Sequence, residues 1–308
     1  MEYKMNIDNF YEELIIYISS KVLLNEPMKK HTYFKIGGPA DLFAEPQDIE
    51  ELKIIFNLIE KYKINYFIIG NGTNLLVSDN GFRGIIIKIG EQFNYINKEE
   101  NTVTAGAGTL LSVLAKYLAK EGLEGFEFAS GIPGFLGGAV NMNAGAYGGE
   151  MKDVIQSVKC IDKNGNLFNF TNADMDFGYR YSRASDMDLI VLEATLSLNI
   201  GDTKTILARI KELDEKRIAK QPLSLPSAGS TFKRPLNGYA SKLIEDAGLK
   251  GLIYKGAMVS DKHSGFIVNI NDASCEDILE LMRIVISAVY AKFNIKLEPE
   301  IKIVGTEL

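Results

Sequence analysis

The chain has 308 residues, 46% hydrophobic and 24% charged, an ordinary composition for a soluble globular protein and long enough for two or three compact units. Its net charge of −6, from 34 basic against 40 acidic residues, argues against nucleic acid or an anionic membrane as partner, though it leaves room for a local basic pocket. The opening MEYKMNIDNFYEELIIYISS lacks the basic-then-apolar order of a secretion signal. No window approaches the roughly 18 apolar residues that a membrane span needs, so a cytoplasmic protein without membrane insertion is expected. Cys160 and Cys275 stand alone, without zinc or disulfide spacing, and read as small core hydrophobes. With His31 and His263 as the only histidines, no metal site is expected. Chemistry must come from glycines, carboxylates, hydroxyls, arginine or a bound cofactor.

In chain order, residues 10–20 and 46–62 carry helical apolar spacing. The second stretch has Pro46 near its first turn, and Asp48, Glu50 and Glu51 at the positive helix end. Short β-branched runs follow at Tyr66–Ile69, Leu75–Val77 and Ile85–Ile89. A helix over Thr109–Lys120 ends at Gly122. Strands at Val154–Ile161 and Leu167–Phe170 flank Asn164-Gly165, a hairpin signal, and Leu189–Leu198 reads as another strand. A charged helix, about Thr203–Lys220, is stopped by Pro222 and Pro226. The remainder reads strand, helix (Tyr239–Ala247), strands (Lys255–Val259 and Gly265–Ile270), helix (Ala273–Phe293) and strand, with Asp272 or Ser274 as cap of the last helix. Hairpins mixed with helices predict an α+β fold rather than strict βαβ alternation.

Six segments could carry chemistry. Gly70-Asn71-Gly72-Thr73-Asn74 follows an apolar run; it suits an anion-binding backbone turn and, equally, a plain hairpin. The run Ser130–Gly149 holds seven glycines, most economically explained by a backbone lying against a flat or charged ligand; a tight corner between packed elements is the competing explanation. Gly106-Ala107-Gly108 resembles the start of a dinucleotide fingerprint, but Leu111 fills the third glycine position, which favours a tight strand-to-helix turn. Tyr179-Arg180-Tyr181-Ser182-Arg183 could hold a carboxylate through the guanidinium fork, or be a solvated strand end. In Ala228-Gly229-Ser230-Thr231-Phe232-Lys233-Arg234-Pro235 a hydroxyl sits on a small-residue turn, where it could protonate a carbanion or merely satisfy the turn. Period-two alternation puts Glu298, Glu300 and Lys302 on one strand face, and spacing does not choose between the glutamates.

Taken together and in this order, these segments resemble the UDP-N-acetylenolpyruvoylglucosamine reductases. The resemblance runs from His31, in HTYFKIGGPA, almost to the C-terminus. It includes GNGTNLLV, SGIPGFLGGAVNMNAGAYGGE, GYRYSR, AGSTFKRP, LIEDAGLKG and LEPEIKIVG. The length, and YRYSR leading straight into Leu189–Leu198, look like the shorter subtype that lacks an extra substrate-covering loop. The resemblance implies an FAD-binding lobe of the vanillyl-alcohol-oxidase type over residues 1–200, with subdomains of about 1–90 and 91–200. A smaller α+β substrate lobe would cover 201–308, its last strand a candidate to return to the FAD lobe. Arg180, Ser230 and Glu300 match the family's catalytic trio. Gly70, Asn71, Gly72, Thr73, Asn74 and Leu75 match one flavin-wrapping segment. Ser130, Gly131, Ile132, Pro133, Gly134, Gly137, Gly138, Asn143, Ala144, Gly145 and Ala146 match the other. Tyr179, Lys233 and Arg234 are the candidate substrate contacts. FAD is expected to be non-covalent, because His31, the histidine assigned to the flavin lobe, lies outside the glycine loops. NADPH is implied as hydride donor and UDP-N-acetylenolpyruvoylglucosamine as substrate; no protein partner is evident. Taken singly, the motifs also allow another FAD oxidoreductase of the same fold, a nicotinamide dehydrogenase, or a non-catalytic nucleotide-binding module.

Overall fold

In the computed structural model, which describes residues 2–236 and 238–308, the chain forms two compact units. Unit 1 consists of Met1–Leu23, Leu42–Asn71 and Gly84–Arg217; unit 2 consists of Leu24–Asp41, Gly72–Arg83 and Ile218–Leu308. The elements in chain order are α1 (Glu2–Tyr17), β1 (Val22–Pro27), β2 (Pro39–Ala44), α2 (Ile49–Tyr62), β3 (Tyr66–Ile69), β4 (Leu75–Val77), β5 (Phe82–Lys88), β6 (Ile96–Glu99) and β7 (Thr102–Gly106). Then come α3 (Leu111–Lys120), β8 (Leu123–Glu124), α4 (Leu136–Asn141), β9 (Gly145–Ala146), β10 (Gly149–Glu150), β11 (Ile155–Ile161), β12 (Leu167–Thr171), α5 (Arg183–Asp186) and β13 (Ile190–Ser197). The rest is β14 (Asn199–Ile200), α6 (Thr203–Lys220), α7 (Ala240–Asp246), β15 (Ile253–Tyr254), β16 (Ala257–Val259), β17 (Ile267–Asn269), α8 (Cys275–Phe293) and β18 (Lys302–Val304). The expected α+β mixture is what forms.

Unit 1 is organised by an antiparallel sheet of order β12-β11-β13-β7-β6. Its alternating residues Leu192, Ala194 and Leu196 of β13 and Val103 and Ala105 of β7 are buried in one apolar core with Leu111, Leu114 and Leu118 of α3. The Asn164-Gly165 turn joins β11 and β12, with Gly165 at φ +82° and the Asp162 carboxylate accepting the amides of Asn164 and Asn166. Nearby, β3 and β5 pair in parallel, Tyr66 against Ile85. The first helix runs over Glu2–Tyr17 rather than 10–20: its buried residues Phe10 and Leu14 lie one turn apart, and Ile18 follows just past the end.

α2 begins as its sequence signals: Asp48 caps it by accepting the Glu51 amide. The Glu51 carboxylate turns back to accept from Gln47 N at 2.9 Å, Ser19 N at 2.7 Å, Ser19 Oγ at 2.9 Å and Ser20 N at 3.2 Å. Burial alone would raise this carboxyl; hydrogen bonds from Gln47, Ser20 and Ser19 outweigh it and lower its pKa from 4.5 to about 2. A depressed folded-state pKa contributes stability that is present above the unfolded value and lost as pH falls through the folded one. Glu51→Gln, which keeps one acceptor oxygen, is therefore expected to cost about 1–2 kcal/mol at pH 7. The gap from wild type should close between pH 4.5 and about 2. Thermal melts across that range check this; a gap that is constant with pH would show that the charge is not what matters.

Unit 2 has its own core, in which Ile278, Leu281, Met282, Val285 and Val289 of α8 form a buried stripe at helical spacing. Of the two candidate caps, Ser274 caps α8, accepting the Asp277 amide, while Asp79 accepts the amides of Cys275 at 2.9 Å and Glu276 at 3.3 Å. Together they satisfy N–H groups the helix leaves unpaired. The strand expected over Lys255–Val259 forms over Ala257–Val259 only, as one arm of a hairpin: β15 and β16 pair antiparallel, Tyr254 against Ala257, with Lys255 at φ +48° in the turn. The strand expected right after Pro226 is reduced to one bridge, Phe232 to Pro299. β18 pairs in parallel with β4, Leu75 against Lys302. Both cysteines are core residues, Cys160 in unit 1 and Cys275 in unit 2, and burial pushes each thiol up to about 12. No helix among the described residues is long and apolar enough to cross a membrane.

Candidate active site

Two glycine-bearing segments far apart in sequence meet in unit 1. The Asn71 amide donates from Nδ2 to the Pro133 carbonyl at 2.5 Å, and Gly70 lies against the Phe135 ring, so that a Cβ there would be 3.6 Å from it. The hairpin alternative for Asn71-Gly72 does not occur: β3 pairs with β5, and β4 with β18. Gly72, at φ +65°, belongs to unit 2 and must be glycine there, since a Cβ would collide with the His31 carbonyl of the same unit, and the Tyr33 amide donates to Gly72 O at 3.0 Å. The N–H groups of Gly72, Thr73 and Asn74 have no acceptor among the described residues, while the Asn74 carbonyl accepts from Lys302 N. His31 itself belongs to unit 2, where its Nε2 lies 3.1 Å from Glu26 Oε1.

The glycine-dense segment divides into two kinds of position. At Gly137 a Cβ would meet Ala107 Cβ at 2.8 Å; at Gly145 it would meet the Gly149 carbonyl at 2.7 Å; at Gly149 it would meet the Phe128 ring at 2.6 Å. These three are required by packing within the protein, which is the corner explanation. Gly138 is different: it is exposed on α4, and nothing lies within 4 Å of the position its Cβ would take. A bare backbone that the protein does not cover is what a closely approaching ligand would need. Sequence reasoning missed the contribution of α6: Ser130 Oγ lies 3.3 Å from Asp214 Oδ1, and the Arg217 side chain packs against Gly131 at 2.8 Å from a Cβ there. Burial lowers the pKa of the Arg217 guanidinium. Both residues sit in a helix whose sequence shows only charge and a proline stop. Gly106 and Gly108, the dinucleotide look-alike, are accounted for by packing, because a Cβ at either would strike a backbone carbonyl, of Phe93 and Gly90 respectively.

Of the catalytic candidates, Arg180 lies in unit 1 and Ser230 and Glu300 in unit 2. Gly178 and Tyr181 exchange backbone hydrogen bonds, Gly178 N to Tyr181 O at 3.1 Å and Tyr181 N to Gly178 O at 3.3 Å. This leaves Tyr179 and Arg180 at the tip of a tight turn. The Arg180 guanidinium carbon lies 5.1 Å from the Tyr179 ring centroid. Asn143, also expected at the cofactor, is buried and its amide is committed to protein: Nδ2 donates to Gly178 O and Glu150 Oε2, both at 2.9 Å, and Oδ1 accepts from Lys152 N.

The segments that carry Ser230 and Glu300 run alongside one another in a short antiparallel approach. Glu300 N donates to Thr231 O at 2.8 Å, and Lys233 N donates to Glu298 O at 2.8 Å. Ser230 follows Gly229, at φ +78°, and is half-buried. The buried Thr231 pins this turn from below, its amide donating to Gly265 O and its hydroxyl accepting from Ile267 N. The glutamates separate by environment: Glu298 is exposed and pairs with Lys233 Nζ at 3.2 Å, whereas Glu300 is half-buried and its carbonyl accepts from Asn74 Nδ2. Arg234 stacks on Tyr239, 4.8 Å from the ring centroid.

The comparisons define the class, an FAD-dependent oxidoreductase. Residues 40–171 match an FAD binding domain, and 221–304 match the C-terminal domain of UDP-N-acetylenolpyruvoylglucosamine reductase. A UDP-N-acetylenolpyruvoylglucosamine reductase of Clostridioides difficile is 50% identical over 304 residues, 98% of this chain and 100% of the relative. One from Caldanaerobacter subterraneus is 52% identical over 285 residues, 92% of this chain and 94% of the relative. The crystal structure of the Thermus caldophilus reductase is 35% identical and superimposes with a TM-score of 0.79, covering 94% of this chain and all of that one. The chain belongs to the UDP-N-acetylenolpyruvoylglucosamine reductase family.

Proposed function

We propose that the chain reduces the enolpyruvyl group of UDP-N-acetylenolpyruvoylglucosamine to give UDP-N-acetylmuramate, using NADPH and non-covalent FAD, in cytoplasmic synthesis of peptidoglycan precursors. The observation that carries this reading is the antiparallel backbone approach that runs the segment just after Ser230, a hydroxyl on a small-residue turn, alongside Glu298–Glu300, with Thr231 opposite the half-buried Glu300. The open Gly138 backbone and the contacts among Gly70, Asn71, Pro133 and Phe135 fit a flavin held by unit 1. On this reading unit 1 is the FAD lobe and unit 2 the substrate lobe.

FAD, which the Gly70–Asn71 and Pro133–Gly138 segments of unit 1 would hold, would supply a relay for hydride between NADPH and the double bond. Hydride adds to the terminal methylene carbon, and the electron pair moves onto the adjacent carbon and its carboxylate. Arg180 pairs with that carboxylate as charge builds on it, where preorganised charge is most effective. Glu300, working protonated or hydrogen-bonded, supports the same carboxylate, since a bare anion there would oppose the reaction. Ser230 delivers its hydroxyl proton to the carbanionic carbon, a base strong enough for so weak an acid, and recovers a proton from solvent. Tyr179, Lys233 and Arg234 are the proposed substrate contacts.

The protein is expected to purify yellow, with an absorption band at about 450 nm, and to release flavin into solution on acid treatment. It should consume NADPH with the enolpyruvyl substrate in equal amounts. A colourless protein that FAD cannot reconstitute would overturn the proposal, as would flavin that stays attached after denaturation for its non-covalent part.

A further inference from the structure

Arg180 stands in a conformation that arginine does not favour. Its φ is +55°, at the third position of the Gly178–Tyr181 turn, where glycine or asparagine is the usual occupant. A left-handed backbone at a residue with a long side chain is strained and persists only where its surroundings over-determine it. Two hydrogen bonds do so here, and both start or end in the glycine-rich segment. Asn143 Nδ2 donates to Gly178 O at 2.9 Å, across 35 residues, and Ser182 Oγ donates to Asn141 O at 2.6 Å, across 41. They grip the turn on both sides of its tip. Each anchor is itself fixed. Asn143 is 1% exposed, with its remaining amide atoms bonded to Glu150 and Lys152, and Ser182 is fully buried at the start of α5.

We infer that Asn143 and Ser182 are positioning residues for Arg180: they tie the strained turn to the segment assigned to the flavin, so that the guanidinium is held in one place when the carboxylate arrives. The inference rests on the role proposed for Arg180. It gives Asn143 a different task from contacting the cofactor, because its amide already has protein partners at every bond described above.

The test compares Asn143→Asp and Ser182→Ala with wild type and with Arg180→Lys. Aspartate keeps the shape, tolerates the positive φ of 43° at this position and can still accept from Lys152, but it cannot donate to Gly178. Three quantities are read in the FAD-loaded protein and its apo form: FAD affinity by flavin titration, flavin reduction by NADPH, and flavin reoxidation by the enolpyruvyl substrate. Each variant is expected to slow reoxidation by about 10- to 100-fold, the scale of a guanidinium displaced by an ångström. FAD affinity and reduction by NADPH should stay within about twofold of wild type. In the Arg180→Lys background the same substitutions should add little, since residues acting through one another are not additive. Parallel losses of FAD affinity and reoxidation, an unchanged reoxidation rate, or full additivity with Arg180→Lys would each overturn the inference. If Asn143→Asp does not fold, Ser182→Ala makes the same comparison. An Arg180→Lys protein with unchanged reoxidation would instead overturn the role of Arg180 itself, which separates the two failures.

Discussion

Ser230→Ala is expected to leave flavin reduction by NADPH nearly untouched and to slow reoxidation by the enolpyruvyl substrate by about 10²–10⁴-fold, the usual consequence of losing a positioned proton donor. That corresponds to roughly 3–5 kcal/mol on the barrier of one half-reaction only. The asymmetry follows from the chemistry: no substrate carbanion exists while NADPH is reducing the flavin, so the hydroxyl has nothing to protonate. The substitution should also be well tolerated by the fold, because the turn is held by the Thr231 amide and hydroxyl, by Gly229 and by the Thr231–Glu300 backbone bond rather than by the Ser230 side chain. Stopped-flow absorbance at the flavin band follows each half separately. Equal slowing of both halves would mean that Ser230 shapes the site and does not deliver a proton.

Gly137→Val and Gly138→Val, one residue apart, should fail in different ways. At Gly137 the new side chain would run into Ala107, whose Cβ would be 2.8 Å and carbonyl oxygen 3.3 Å from the added Cβ. Overpacking of this kind costs about 1–3 kcal/mol, so the melting temperature of the apo protein should drop by several degrees. At Gly138 the side chain would enter open space, and valine is a better helix former than glycine, so the apo protein should melt no lower than wild type. Its FAD affinity should fall by about 10- to 100-fold, because the side chain would stand where the cofactor is proposed to approach. Flavin titration and thermal melts on the two variants check this. Unchanged FAD binding in Gly138→Val would remove that glycine from the cofactor site.

Local pattern was enough for most elements. The runs Tyr66–Ile69 and Leu75–Val77 and the helix Thr203–Lys220 form with the boundaries their residues predict, because β-branched runs between glycines and a charged helix stopped by a proline carry their own signals. The failures have two causes, one local and one long-range. Lys255 adopts a left-handed turn that lysine does not advertise, and it turns the first two residues of a predicted strand into the loop of a hairpin. The segment after Pro226 finds its partner at Pro299, more than sixty residues on, and makes a single bridge instead of a strand.

The order of motifs along the chain was sufficient by itself to place it among the UDP-N-acetylenolpyruvoylglucosamine reductases, because residue types and their order are properties of sequence; Arg180, Ser230 and Glu300 are put forward on the same ground. Which glycines are bare and which are packed was decided by tertiary structure. Gly137 and Gly138 are neighbours of identical chemistry, and only the position of Ala107 tells them apart. The same holds for Glu298 and Glu300, which share a strand face by period but differ in burial and in the Lys233 ion pair. It holds most of all for Asn143, whose partner Gly178 lies 35 residues away. Steric room, burial and long-range hydrogen bonds depend on what the folded chain brings alongside each residue, and no spacing along the sequence encodes that.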